Sequence, residues 1–187
     1  LSAITFEGGK VEFGTTDSED IESAETGKKV QKLSSIKVSD TAGNLIKTTM
    51  LEYKYLLSGM AATTNGYDDR LLLSKVYDVA GSKKNNVHTM DYNMGKLPPK
   101  RSLSVDAWGF YNGASPMTAS LKISPSIYWS ESIKPSSKTS LFKEGMDRSF
   151  NEALCKIGTL RTITYPTGGT TTFEYEGHRF ETLPMMP

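Results

Sequence analysis

The chain has 187 residues, 22 Lys and Arg against 21 Asp and Glu, a formal charge of +1 and 37% hydrophobic residues. That length allows one domain or two small ones, with enough buried surface to fold without a metal or disulfide. The balanced charge excludes an electrostatic footprint for nucleic acid or an anionic membrane, and no apolar run reaches the ~20 residues of a membrane-spanning helix.

Cys155 is the only cysteine, and His88 and His178 stand far apart. No disulfide closes within the chain, and the paired Cys or His spacing of a tetrahedral zinc site is missing. A lone Cys reads as a small buried hydrophobe rather than a nucleophile. No signal peptide is visible, and the chain opens on Leu1 rather than Met, which reads as a segment of something longer.

The opening LSAITFEGGKVEF predicts a β-hairpin over 1–15, with Ile4, Phe6 and Phe13 in alternating arms around Gly8-Gly9. Five acidic residues follow between Asp17 and Glu25. The carboxylates of Asp17, Glu19 and Asp20 lack the central Gly and distal Glu of a calcium loop, so the segment reads as a solvated loop. A second hairpin is expected over 33–56, with Leu33, Ile36 and Val38 before an Asp40-x-x-Gly43 turn and Tyr53 and Tyr55 after it. Residues 57–70 read as a loop. A third hairpin, over 71–93, carries Leu71, Val76 and Tyr92 around Asp78-x-x-Gly81, which reads as the same turn as Asp40–Gly43.

From about Lys96 to Gly145 the chain is Ser-rich and holds five of its eight prolines, so an irregular insertion is expected over 96–145. MDRSFNEALCKIG predicts one short helix near 147–156, capped by Asp147, with Phe150 and Leu154 on one face and Gly158 ending it. LRTITYPTGGTTTFEYEGH closes the chain with a fourth hairpin over 160–177. It matches the first: Leu1, Ile4 and Phe6 align with Leu160, Ile163 and Tyr165, and Gly8, Gly9 and Phe13 with Gly168, Gly169 and Phe173.

One supersecondary unit is therefore reused, and a lone hairpin is marginal in water, so the copies should pair side by side or face to face. The fold expected is all-β: a single module, 1–187, of repeated antiparallel hairpins forming a curled sheet or an open β-sandwich, with one short helix.

LSSIKVSDTAGNLIKTTMLEYKY, the RLLLSKV strand entry, KLPPKRSLSVDAWGFYNG and GTLRTITYPTGGTTTFEYE together resemble the RHS/YD-repeat family, in particular its large exported members in Bacteroidetes. The most distinctive runs are Asp106–Gly113 and Tyr165–Thr170. Leading Leu positions lie 32, 38 and 89 residues apart, a degenerate and interrupted spacing. The resemblance implies a structural β-sheet segment of a secreted or cell-surface protein. Its partners would be the neighbouring repeats of the parent chain, surface glycans or a C-terminal cargo domain. It implies no cofactor and no catalytic residue; neither nucleic-acid binding nor direct membrane insertion is expected.

VDAWGFYNGAS holds the best candidates for ligand contact. Trp108, Phe110 and Tyr111 would stack on a sugar ring, with Asp106 and Asn112 on its hydroxyls and Tyr128 and Trp129 extending the platform. The same run reads equally as a loop plug, with Trp108 buried and Asn112-Gly113 forming a tight turn. A glycosidase would need two carboxylates across a pocket. Asp106 with Glu131, Glu144 or Asp147 could be nominated, but no spacing brings them together, and a non-enzymatic role is expected.

Overall fold

The computed structural model describes residues 2–20, 29–57, 68–100, 102–114, 127–128, 142–143 and 147–177, with only the backbone of 127–128 and 142–143. Ten strands are formed: β1 (Ala3–Phe6), β2 (Gly9–Asp17), β3 (Gln31–Ser39), β4 (Leu45–Leu56), β5 (Arg70–Ala80), β6 (Lys83–Tyr92), β7 (Ile127–Tyr128), β8 (Phe142–Lys143), β9 (Leu160–Thr164) and β10 (Thr170–Thr172). Eight of them make one antiparallel sheet in the order β1-β2-β3-β4-β5-β6-β9-β10, and β7 and β8 form a separate two-stranded ribbon. The protein is thus all-β. Antiparallel strands were expected and are found; the described residues place eight of them in one open, uncurled sheet, where a curled sheet or an open β-sandwich was expected.

Contacts divide the chain, expected to be one module, into two compact units. Leu1–Pro99 with Gly158–Glu174 contains the sheet, and Lys100–Ile157 with Tyr175–Pro187 contains most of the Pro- and Ser-rich region.

Consecutive hairpins make the sheet because each turn reverses the chain with the residues it needs. Phe6 pairs with Gly9 across Glu7-Gly8, and Ala80 with Lys83 across Gly81-Ser82, where Gly81 takes φ 61°. Of the two, only Gly81-Ser82 has Gly first at positive φ, the two-residue connection that matches the twist of the flanking strands. The turn that truly recurs is a longer one. At Asp40–Asn44 the amide of Gly43 donates to the Asp40 carbonyl, and that of Asp40 to the Asn44 carbonyl. At Tyr165–Gly169 the amides of Gly168 and Tyr165 make the same two bonds, and Gly43 and Gly168 both have φ 85°.

Asp40 and Asp78, expected to make one turn, do different things. The Asp40 carboxylate closes its own turn, accepting the Asn44 backbone amide at 2.8 Å and the Asn44 side-chain amide at 2.9 Å. Asp78 lies three residues before Gly81 but within β5. Its carboxylate accepts from Thr49 at 2.8 Å and Asn86 at 2.9 Å and faces Lys47 at 3.1 Å, joining three strands. The β5–β6 turn is too short to need an acidic cap. Asn86, at φ 51°, marks the register shift between Val76 and Asp78 in that pair.

Directly opposed residues share a face of a sheet. One face carries the rows Ile4-Val11-Val38-Lys47, Phe13-Ile36-Thr49-Asp78, Leu51-Val76-His88 and Met90-Ile163-Thr171, apolar over most of its length with a charged group at Lys47 and Asp78. The other carries Ala3-Glu12-Lys37-Thr48 and Glu52-Lys75-Thr89-Thr164-Thr170. The sheet is amphipathic, yet little of it is sealed. Among the described residues only Leu56, Tyr77 and Met90 are buried hydrophobics, and no side chain falls below 2% exposure. Ile4 and Phe6 are about half exposed.

The helix expected near 147–156 is not formed. Residues 152–158 are consecutive turns, and the described residues contain no helix. Asn151, not Asp147, caps them. Its side-chain oxygen accepts the amides of Ala153 and Leu154, and its carbonyl those of Leu154 and Cys155. Asp147 turns instead to Ser149, accepting from its amide and hydroxyl. Between Asn151 and Gly158, at φ 84°, there is room for little more than one turn. A single turn fixes several dihedrals for one bond and does not propagate.

Candidate functional site

The Asp106–Gly113 run is a compact loop held from inside. Asp106, 3% exposed, accepts the backbone amides of Trp108 and Phe110 on one carboxylate oxygen, each at 2.9 Å. Its own amide donates to the Phe110 carbonyl, and Val105 bridges to Tyr111. Gly109 takes φ 94° at the tip, a conformation an L side chain rarely adopts. Asn112, also buried, donates its side-chain amide to the carbonyls of Asp147 and Ser149 and accepts from the Ala114 amide. At Gly113, φ is 76° and an added Cβ would lie 2.5 Å from Leu154 Cδ1, so a side chain there would be strained and would have to displace the end of Leu154; the tight turn expected at Asn112-Gly113 is not formed.

Arg148, which the sequence did not single out, completes the frame. Its guanidinium donates to the Val105 carbonyl at 2.9 Å, and its own carbonyl accepts the Ala107 amide at 3.1 Å. Nothing in the spacing of Arg148 from this run, more than 40 residues away, signals the pairing.

The candidate residues thus separate by direction. The plug role expected of Trp108 falls to Asp106 and Asn112, whose described bonds serve the backbone of the loop. Trp108 and Phe110 are 40% and 41% exposed, and Tyr111 is half-buried. A carboxylate that accepts two amides organises the loop; it is poorly placed to accept sugar hydroxyls as well. Trp108 and Phe110 are thus partly solvent-exposed at the tip of the loop. Trp129, Glu131, Glu144 and the Tyr128 side chain lie outside the described residues. Asp147, exposed and bonded to Ser149, is the only nominated carboxylate partner of Asp106 that is described.

On the sheet, acidic groups are also engaged. Glu52 accepts from Lys84 at 2.6 Å and Tyr77 at 2.9 Å, and these contacts hold its pKa below the usual carboxylate value. Lys84 rides over the Tyr77 ring at 4.3 Å, and Lys32 over Tyr55 at 4.9 Å. Near the β1 edge a groove of about 420 Å³ is lined by Thr5, Phe6, Lys10, Glu12, Asp40 and Thr41. Its two carboxylates are committed: Lys10 bonds Glu12 at 2.6 Å, and Asn44 bonds Asp40, each lowering the pKa of its partner. A general acid at neutral pH needs the opposite shift.

Ser18 bonds Asp20, and both are buried. Asp17 is engaged by Gln31 and Lys29, while the rest of the acidic stretch, 21–28, lies outside the described residues. Among the described residues no three His, Cys, Asp or Glu side chains gather to hold a metal ion. Comparison with protein-family models, with curated proteins and with solved structures finds no match to this chain.

Proposed function

We propose that the chain is a non-catalytic structural segment: part of an extended β-sheet body of RHS/YD-repeat type in a secreted or cell-surface protein. One observation carries this reading. Eight strands make one sheet whose apolar rows are partly exposed rather than sealed, with Ile4 and Phe6 about half exposed and three buried hydrophobics among the described residues. A domain that folds for itself seals such rows under a second layer. A segment of a larger body leaves them for the next part of that body. The engaged carboxylates at Glu52, Asp78 and Asp106 agree with a scaffold, since each ties strands or a loop together.

The test is binding of an apolar dye, with amide exchange read residue by residue, on the folded 187-residue chain. Dye binding to the native state, with rapid exchange along β1 and β10, is expected. Native chain that binds no dye would be self-contained, and the segment reading would fall.

A second reading is supported by the exposed pair Trp108 and Phe110: a carbohydrate-binding or adhesion loop. Tryptophan emission during titration with polysaccharides tests it. A saturable shift that is lost in Trp108→Ala, with melting unchanged, would establish it; no shift with any glycan would remove it.

A further inference from the structure

The two edges of the sheet match each other. In an antiparallel ladder, hydrogen-bonded pairs alternate with pairs whose amides and carbonyls point away. On β1 the Phe13 amide donates to the Ser2 carbonyl. The pairs Ile4↔Val11 and Phe6↔Gly9 are therefore the inward-bonded ones, and Ala3 and Thr5 turn their backbone groups outward. On β10 the Phe173 amide donates to the Arg161 carbonyl. There Thr171↔Ile163 is inward-bonded, and Thr170 and Thr172 point outward.

All four outward residues belong to the polar face: Ala3 and Thr5 through Glu12 and Lys10, Thr170 and Thr172 through Thr164 and Thr162. Directly bonded partners must share a face, so this agreement decides whether the two edges can join with their apolar faces on the same side. Had the outward residues lain on opposite faces, joining would have set the face of Ile4 and Val11 against that of Thr162 and Thr164.

Direction agrees as well. Eight strands, each antiparallel to its neighbour, leave β1 and β10 running in opposite senses. A copy shifted along the sheet, without rotation, therefore offers β1 antiparallel to β10. Both edge strands are short, at four and three residues, but among the described residues they carry no other guard: Ala-Ile-Thr-Phe and Thr-Thr-Thr contain no Pro and no charge, and neither pair has a bulge. Natural sheets that must stop place those devices at their edges.

We propose that this sheet is extended head to tail by a second copy of the chain. Ala3 and Thr5 of one molecule bond Thr172 and Thr170 of the next, which sets Ile4 opposite Thr171, on the face that carries Ile163. The inference rests on the segment reading above. The interface is heterologous and does not close on itself, so it adds units in a row.

The experiment is sedimentation velocity of the 187-residue chain from about 10 µM to about 1 mM, the range where small interfaces associate. Thr5→Pro and Thr172→Pro are compared with it. Each replaces an outward amide, so neither removes a bond from the chain's own ladder. Ala3→Pro replaces Thr5→Pro if that variant melts early. Wild type is expected to grow with concentration from 20.6 kDa through a series of larger species. Each variant alone should stay monomeric, and an equal mixture of the two should stop at a dimer, because one intact β10 edge then meets one intact β1 edge.

A Thr172→Pro chain that still dimerises alone would show a symmetric β1–β1 contact and overturn the proposal. Wild type that stays monomeric while binding the apolar dye would overturn edge pairing and leave the segment reading standing. Wild type that stays monomeric and binds no dye would sink both.

Discussion

Asp78→Ala removes the residue that ties β4, β5 and β6 together. Its carboxylate is 19% exposed and accepts from Thr49 and Asn86, and Lys47 opposite is 53% exposed. A hydrogen bond to a charged group contributes about 1.5–3 kcal/mol, and an exposed ion pair about 0–1. Asn86 is exposed and Lys47 largely so; both turn to water when the carboxylate goes, while the Thr49 hydroxyl is half-buried and does so less freely. The expected loss is therefore about 2 kcal/mol, or about 4–8 °C in Tm for a chain of this size.

Asp78→Asn keeps an acceptor for one donor and should lose about half as much. Urea unfolding at pH 7, with an unchanged slope, reads both losses. The pH dependence has a definite sign. Bonds from Asn86 first, then Thr49 and Lys47, lower the folded-state pKa of Asp78. Its contribution is then complete above the unfolded value of about 3.9 and is lost as pH falls through the lower folded value. The gap between wild type and Asp78→Ala should close in that acid window. A loss below about 0.5 kcal/mol at pH 7, or a gap that persists in acid, would refute the reasoning and leave the backbone ladders and packing to join these strands.

Leu56→Ala should cost about 2–4 kcal/mol by urea unfolding, because Leu56, at 2% exposure, is the most enclosed apolar side chain described and packs by Gly158. Asp106→Ala should free the amides of Trp108 and Phe110, raising their hydrogen exchange and costing about 2 kcal/mol of loop stability, with the sheet amides unchanged. Gly113→Ala combines strained φ with a clash against Leu154 and should lower Tm by several degrees, more than Ala at Gly43, where nothing lies within 4 Å of the added Cβ. Equal effects at the two glycines would mean that backbone conformation alone, not contact with Leu154, sets the cost.

Strand and turn positions were legible because they depend on neighbours in sequence. Alternation of Ile4, Phe6 and Phe13 around Gly8-Gly9 placed the first hairpin, and its match to Leu160–Phe173 the last. The pairing of turns was misread: Asp-x-x-Gly looks the same at Asp40 and Asp78, and only strand register shows that Asp40 closes a turn while Asp78 lies inside a strand. The helix failed for a related reason. Phe150 and Leu154 have helical spacing, but Asn151 and Gly158 bound a segment too short to propagate. In the candidate loop the residue types were found by sequence, whereas Arg148 was not, because its partners lie more than 40 residues away.

Local chemistry, then, settled by sequence alone that this is a chain of antiparallel hairpins, since period-two patterning and glycines at positive φ act within a few residues. Tertiary structure alone decided the rest. It put β9 beside β6, with Asn93 bonded to Thr159 across 66 residues, buried Asp106 while leaving Trp108 40% exposed, and left the apolar rows of the sheet short of full burial. Those outcomes come from which surfaces meet and which backbone groups are already paired. They depend on register between distant segments, and the entropy of closing long loops leaves no mark on local residue order.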